Sequence, residues 1–257
     1  MSDLDSARSR IRPYVERAQH FTGWNLDRAA PKSLEEGPPW SYQSRAAQLA
    51  RAANSILDMG TGGGEVFERV SMPHPGRAVA TESWSVNVPV AAARLQPRGI
   101  SVVRTNSLVL PFRDRTFDLV LSRHEELHPT ETARVLSFGG HVLTQQVGRN
   151  RWCELREFFP RMQDFGDLFG AYEAGFREAG LTIAQSRKHD WKVAYRGLGD
   201  VVFLLCIAPW DLPDFDPLGR DLRALMAAGD ALSTHDGIEL TESSFLLEAT
   251  KDRTPEV

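Results

Sequence analysis

One stretch constrains the fold of this chain more than any other. An apolar run, Ile56-Leu57-Asp58-Met59, carries an acid and passes directly into Gly60-Thr61-Gly62-Gly63-Gly64-Glu65. Apolar residues at helical spacing follow at Val66, Phe67 and Val70. A buried strand, a tight turn and a helix in that order build one unit of a parallel α/β sheet. Glycine lets such a turn take positive φ and lets the backbone come close to a ligand. The helix start then offers N–H groups that have no partner within the helix. In open α/β sheets the crevice at the carboxyl ends of the strands is where ligands sit. The plain alternative is a tight turn that holds nothing.

The dinucleotide fingerprint requires Gly or Ala at its sixth position, and counting from Gly60 that position is Glu65. A carboxylate there suits the helix dipole but repels a pyrophosphate. No Gly-Lys-Ser/Thr follows, which excludes a P-loop. Asp58-x-Gly60-x-Gly62-x-Gly64 resembles motif I of the class I S-adenosylmethionine-dependent methyltransferases. The resemblance implies a loop wrapped around the methionine part of a cationic cofactor, S-adenosyl-L-methionine, with Asp58, Gly60, Thr61, Gly62 and Gly64 in contact. A second element agrees. Arg77 to Glu82 reads as the next strand and ends in an acid 24 residues beyond Asp58. On its own Glu82 reads as a solvated surface acid; at this spacing it can accept hydrogen bonds from both ribose hydroxyls. Trp84, just past it, can stack on an adenine.

Composition narrows the class. At 257 residues the expectation is one α/β domain with elaborations, long enough to bury a full core. The net charge of −4 gives no bulk attraction to a nucleic-acid backbone. The longest apolar run, Val201 to Ala208, falls short of the ~18 residues needed to span a bilayer, so no membrane association is expected. The first residues show no signal-peptide pattern. Cys153 and Cys206 lack metal-ligand spacing and read as reduced core thiols in a cytoplasmic protein, with no metal expected.

Along the chain, residues 3 to 20 read as a helix whose other side carries Arg8, Arg10, Arg12 and Arg17. That basic side is a solvated face, or a contact for an anionic substrate or RNA. Residues 21 to 40 are irregular and rich in proline, with Phe21, Trp24 and Trp40. These aromatics cover the cofactor or line a substrate pocket, or else pin the N-terminal segment to the core. A helix is expected over 41–53 and a third strand over 100–104, delivering Asn106 and Ser107. The resemblance implies an adenine contact there; the family often has Asp at this point, and Asn106 or Ser107 stands in its place. Leu110-Pro111-Phe112 through Phe117-Asp118-Leu119-Val120 is similar to a further segment of the family. It leads into a fourth strand, Phe117 to Ser122, whose exit is Arg123-His124-Glu125-Glu126. A fifth strand, His141 to Val147, carries Gln145 and Gln146. A helix over 167–179, a strand over 181–189, an apolar helix over 199–207 and a last strand over 244–250 complete the reading.

With Pro38-Pro39-Trp40-Ser41-Tyr42, Ala80-Thr81-Glu82 and Ser122-Arg123-His124-Glu125, the wording is similar to a bacterial subgroup of methyltransferase-11-like proteins. The fold this implies is a Rossmann-like, doubly wound, mostly parallel seven-stranded sheet of order 3-2-1-4-5-7-6, its last strand antiparallel. The expected division is an N-terminal cap over 1–40, a cofactor-binding core over 41–190, an insertion over 197–240 and the last strand over 241–251, all in one domain. Methyl transfer asks the protein mainly to position the nucleophile and exclude water. Arg123 is expected beside the cofactor, and Trp40, Tyr42, His124, Gln145 and Gln146 beside the substrate. His124, with an ordinary pKa near ~6.5, is the candidate general base. The expected acceptor is an oxygen or nitrogen of a small molecule, and the protein a monomer or homodimer. An RNA or DNA base methyltransferase is the alternative, but the Asn/Asp-Pro-Pro-aromatic segment of base-amino enzymes is not at the fourth strand's exit. A cofactor-binding protein without catalysis is the third reading.

Overall fold

Hydrophobic alternation and uninterrupted apolar runs separate the strands by depth. In the computed structural model, which describes residues 3–71 and 76–252, the strand Ser55–Met59 (β1) is buried along nearly its whole length. It lies between two parallel neighbours, Arg77–Glu82 (β2) and Phe117–Arg123 (β4). Strands covered on both faces read as continuous apolar runs, as these do. Ser101–Arg104 (β3) pairs parallel with β2, and Leu136–Val147 (β5) parallel with β4. Gly237–Lys251 (β7) runs antiparallel between β5 and Leu181–Tyr195 (β6). The seven long strands therefore stand in the order 3-2-1-4-5-7-6. The sheet has nine strands rather than seven, because two-residue strands at Lys32–Ser33 and Ser233–Thr234 pair with β6 and β7.

Helices cover both faces. Tyr42–Ala52 (α2), Glu65–Ser71 (α3) and Asn87–Leu95 (α4) bury one apolar cluster with Ile56, Ala80 and Leu119. The α2 start is capped by Ser41, whose hydroxyl accepts from the Ser44 N–H at 3.2 Å. On the other face Pro129–Val135 (α5) and Leu168–Glu178 (α6) pack with Leu57, Val120 and Phe245. Arg45 of α2 makes two hydrogen bonds to Glu248 of β7, a fully buried acid. An ion pair of this kind holds only because its partner is in place.

Three elements depart from expectation. β6 and β7 are each 15 residues long, well past the expected 181–189 and 244–250, and Leu222–Leu232 (α8) was not foreseen at all. The long strands support a third apolar cluster, in which Asp3–Gln19 (α1), Leu198–Ile207 (α7) and α8 pack against Val193, Ile238 and Trp152. α7 is apolar on every side because it is the buried middle of this cluster. Ala7 and Ile11 of α1 are buried in it, and Arg17 stacks on the Phe203 ring at 3.7 Å. The N-terminal segment is thus built into the core as well as reaching over the strand exits. The expected last strand begins at Gly237, so the insertion before it ends earlier than 240.

Candidate active site

The loop after β1 takes its shape from positive φ at Gly60 (64°), Gly62 (61°) and Gly64 (81°). At all three a side chain also has nowhere to go, Gly64 lying against Leu95. A Cβ on Gly60 would collide with the Cβ and Cγ of Glu125, and one on Gly62 would sit 2.9 Å from the Trp24 Cβ. The Thr61 N–H donates to the Thr81 carbonyl at 2.9 Å, and the Gly62 N–H to Glu82 Oε2 at 2.7 Å. Glu82 Oε1 accepts from the Trp84 N–H at 2.8 Å. One buried carboxylate at the end of β2 therefore ties together the two loops that flank the crevice. Carboxylate oxygens have about two acceptor sites each, so capacity remains for ribose hydroxyls.

Acids dominate the charge in this half, with Arg123 the cation that acts on Asp58. Burial raises the Asp58 pKa to about 7, and the nearby charges of Glu82 and Glu125 add to it. Glu82 is raised by burial, against its backbone hydrogen bonds. Glu125 is raised by burial, against a hydrogen bond from the Ser107 hydroxyl at 2.8 Å. Among the described residues none of the three acids is in an ion pair. Burial lowers the Arg123 pKa, and its guanidinium has no hydrogen-bond or ion-pair partner among the described residues. The Tyr42 hydroxyl is buried without a partner among the described residues, and the Thr61 side chain works against the rise at Asp58.

These groups line one cavity of about 850 Å³ that runs across the strand exits. Asp58, Gly60, Thr61, Gly62, Glu82, Trp84, Asn106, Ser107 and Arg123 all face it, as do Tyr42, His124 and Gln146. Trp24 closes over it, stacked on Trp210 at 6.1 Å and edge-on to Trp84 at 6.0 Å. The Gly23 N–H donates to Asn87 Oδ1 at 2.9 Å, which pins this strap to the start of α4. Phe21, from the same segment, packs edge-on against Phe203. The two readings of the N-terminal aromatics are therefore both realised, Trp24 at the cavity and Phe21 in the core. Gly64, expected at the cofactor, is not on the cavity wall but against Leu95.

Trp40 and Gln145 require a correction. Neither lines the cavity; Trp40 Nε1 donates to Gln145 Oε1 at 3.0 Å, and Gln145 Nε2 reaches His124 Nε2 at 3.5 Å. With its oxygen engaged by Trp40, the Gln145 amide presents N–H to the imidazole, which leaves the ring proton on Nδ1. They sit behind His124 and orient it. Gln146 is also committed, donating to the Ser122 and Thr144 hydroxyls and to the Glu125 carbonyl, so it fixes the β4 exit.

His124 combines a constrained backbone with a lowered pKa. It adopts a left-handed backbone, φ 59°, held by its N–H donating to the Gln145 carbonyl at 2.8 Å. Strained backbone of this kind persists only where the surroundings fix it. The residue is exposed at the cavity wall, with protein atoms crowded around its ring. Crowding by protein, with Arg123 and Arg151 adding positive charge, pushes its pKa down to about 3. It is a neutral imidazole near neutral pH and a weak base.

A family model described as a methyltransferase domain matches residues 57–144, the stretch from the middle of β1 to the middle of β5. The chain carries a class I S-adenosylmethionine-dependent methyltransferase domain. No curated protein matches the sequence. Solved structures share the fold at low identity. A functionally unknown protein from Deinococcus radiodurans R1 is 17% identical with a TM-score of 0.62, over 95% of this chain and 99% of that one. The YcgJ protein of Bacillus subtilis is 19% identical with a TM-score of 0.60, over 83% and 99%. A geranyl diphosphate methyltransferase in complex with SAM is 12% identical with a TM-score of 0.50, over 81% and 85%.

The cofactor of this methyltransferase is S-adenosylmethionine, and the site suits it. Buried acids without ion-pair partners match a sulfonium and an ammonium, and the Tyr42 hydroxyl and the Arg123 guanidinium, partnerless among the described residues, are polar groups that a polar cofactor can engage. Sequence reasoning left out Glu125, which packs over Gly60, and the wall formed by Arg149, Arg151, Arg156, Met162 and Tyr172. Glu125 was findable as the acid that follows His124 at the β4 exit. The wall had no signal, because its residues come from segments outside the motifs. Among the described residues no group of three His, Cys, Asp or Glu is placed to hold a metal ion, and no helix is long and apolar enough to cross a membrane.

Proposed function

We propose that this methyltransferase acts on an oxygen or nitrogen of a small molecule, in the cytoplasm. Enclosure of the cavity carries this reading. At about 850 Å³ it lies within the ~300–1,000 Å³ typical of small-molecule sites. Trp24, Trp84 and Trp210 close over it from three separate segments, where a nucleic-acid enzyme needs an open basic groove.

Asp58, Glu82 and Glu125 hold the cofactor's positive charge, Glu82 meets the ribose, and Trp84, Asn106 and Ser107 surround the base. When bound, the cofactor supplies an electrophilic methyl group. The protein's own work is then to align the acceptor and keep water out. His124 does the first by presenting its Nδ1 proton to the acceptor, with Gln145 and Trp40 holding the ring. A pKa near 3 leaves it unsuited to take up a proton at neutral pH.

Calorimetry with S-adenosylhomocysteine, then transfer of labelled methyl from S-adenosylmethionine to a panel of small phenols, amines and carboxylic acids, tests the reading. Transfer to one of these with none to RNA or DNA supports it. Transfer to nucleic acid alone overturns it.

A further inference from the structure

The cavity does not end at the cofactor's acids. Beyond the β4 exit it continues to the β5 exit, where the chain from Gly148 to Arg156 forms the wall. Gly148 and Trp152 donate their N–H groups to the Ser243 and Thr241 carbonyls, each at 2.8 Å, so this segment is fastened to β7. It contributes three arginines.

Two of them are neutralised within the protein. Arg149 is paired with Asp164 at 2.7 Å. Arg151 is paired with Asp211 at 2.8 Å and lies 3.5 Å from Glu242. Arg156 is different. It has no ion pair among the described residues, and its one hydrogen bond runs from Nη2 to the Arg149 carbonyl at 2.6 Å. Its Nε is buried and has no partner. A buried guanidinium N–H left unmet is costly, and planar N–H pairs match a carboxylate or other oxyanion. Met162, Phe165, Leu168 and Trp210 line the same cavity and give it apolar surface as well as charge.

We propose that the methyl acceptor is an organic anion, an apolar or aromatic body bearing one oxyanion that pairs with Arg156. This rests on the reading of the cavity as a small-molecule acceptor site. The two halves then sort their ligands by charge. The acids take the cation, and Arg156 takes the anion and orients the acceptor with its opposite end toward the strand exits.

The test uses the full chain saturated with S-adenosylhomocysteine and two fluorescent probes with the same apolar body. One is 1-anilinonaphthalene-8-sulfonate, and the other is the uncharged N-phenyl-1-naphthylamine. The wild type should bind the sulfonate more tightly than the neutral probe. Arg156→Gln should weaken the sulfonate by about tenfold or more while leaving the neutral probe unchanged. Arg156→Lys should restore part of the loss. S-adenosylhomocysteine affinity should be the same in all three proteins, which shows that the variants are folded. Equal binding of both probes by the wild type, or equal loss of both in Arg156→Gln, overturns the inference. Failure of the wild type to bind S-adenosylhomocysteine would instead strike the functional reading beneath it.

Discussion

Asp58, Glu82 and Glu125 on one side of the cavity and Arg149, Arg151 and Arg156 on the other differ in how far the protein has settled their charges. The acids are buried close together with no cation paired to them, and burial pushes the pKa of each upward. Two of the arginines are already matched by acids of their own. A cluster left unmatched is costly in the empty protein and is relieved by a ligand of opposite charge. A matched set mainly shapes a wall. The acid half thus presents unpaired carboxylates that suit a cation, and in the arginine half one buried guanidinium N–H, that of Arg156 Nε, has no partner among the described residues.

The sharpest way to break this contrast is at the loop that presents the acids. Gly60→Ala puts a side chain at positive φ and against Glu125, with a summed cost of about 2–5 kcal/mol from left-handed strain and overpacking. S-adenosylhomocysteine binding should be lost or severely weakened in calorimetry. A variant that binds like the wild type would show that the acid half does not depend on the loop. Glu82→Ala comes next. It removes the acceptor for two backbone N–H groups and for the ribose, and affinity should fall by about 1.5–3 kcal/mol. An unchanged affinity would make Glu82 a bystander.

The charge argument has its own test in pH. The Asp58 pKa in the folded protein, about 7, lies above its ordinary value of 3.8. The folded state thus binds the proton more tightly than the unfolded one, and this contribution to stability is lost as pH rises through about 7. Bound S-adenosylmethionine favours the ionised acid, so its affinity should rise over the same interval. Melting temperatures from about pH 5 to 8 should show the ligand-free protein losing stability while the cofactor-induced shift grows. Asp58→Asn should flatten both trends; if it leaves them intact, another group carries the titration.

A smaller effect is expected at the junction of the halves. His124→Gln removes one aligned hydrogen bond, worth about 0.5–1.5 kcal/mol, so kcat should fall by about 2- to 13-fold. Because the ring's pKa is about 3, the variant should lose no ionisation near neutrality from the wild-type kcat profile. An ionisation near ~6.5 that vanishes with the imidazole would restore the general-base role. Arg149→Ala should change least, leaving the melting temperature close to the wild type, because its ion pair with Asp164 is exposed.

The loop from Asp58 to Glu65, the acid at the end of β2 and the exits of β3 and β4 were legible before any coordinates. Each is a short segment whose chemistry follows its own strand, so local spacing places it. The seven-strand order came with the family resemblance. What escaped was what depends on partners distant in sequence. β6 and β7 run to 15 residues because they pair with each other and with α1 and α7, not because their own pattern continues without interruption. Trp40 and Gln145 pass as substrate residues until their hydrogen bonds to each other and to His124 are seen.

By itself the sequence determined the parallel strands, the glycine loop and the placing of Asp58 and Glu82 at strand ends, because hydrophobic runs, positive φ and charge are properties of neighbouring residues. Only the tertiary structure decided that His124 is neutral, that Trp24 and Trp210 meet over the cavity, and that Arg156 lacks the acid its neighbours have. A pKa, an aromatic contact and an unmet N–H all depend on which groups from elsewhere in the chain come within a few ångströms, and that is settled by packing.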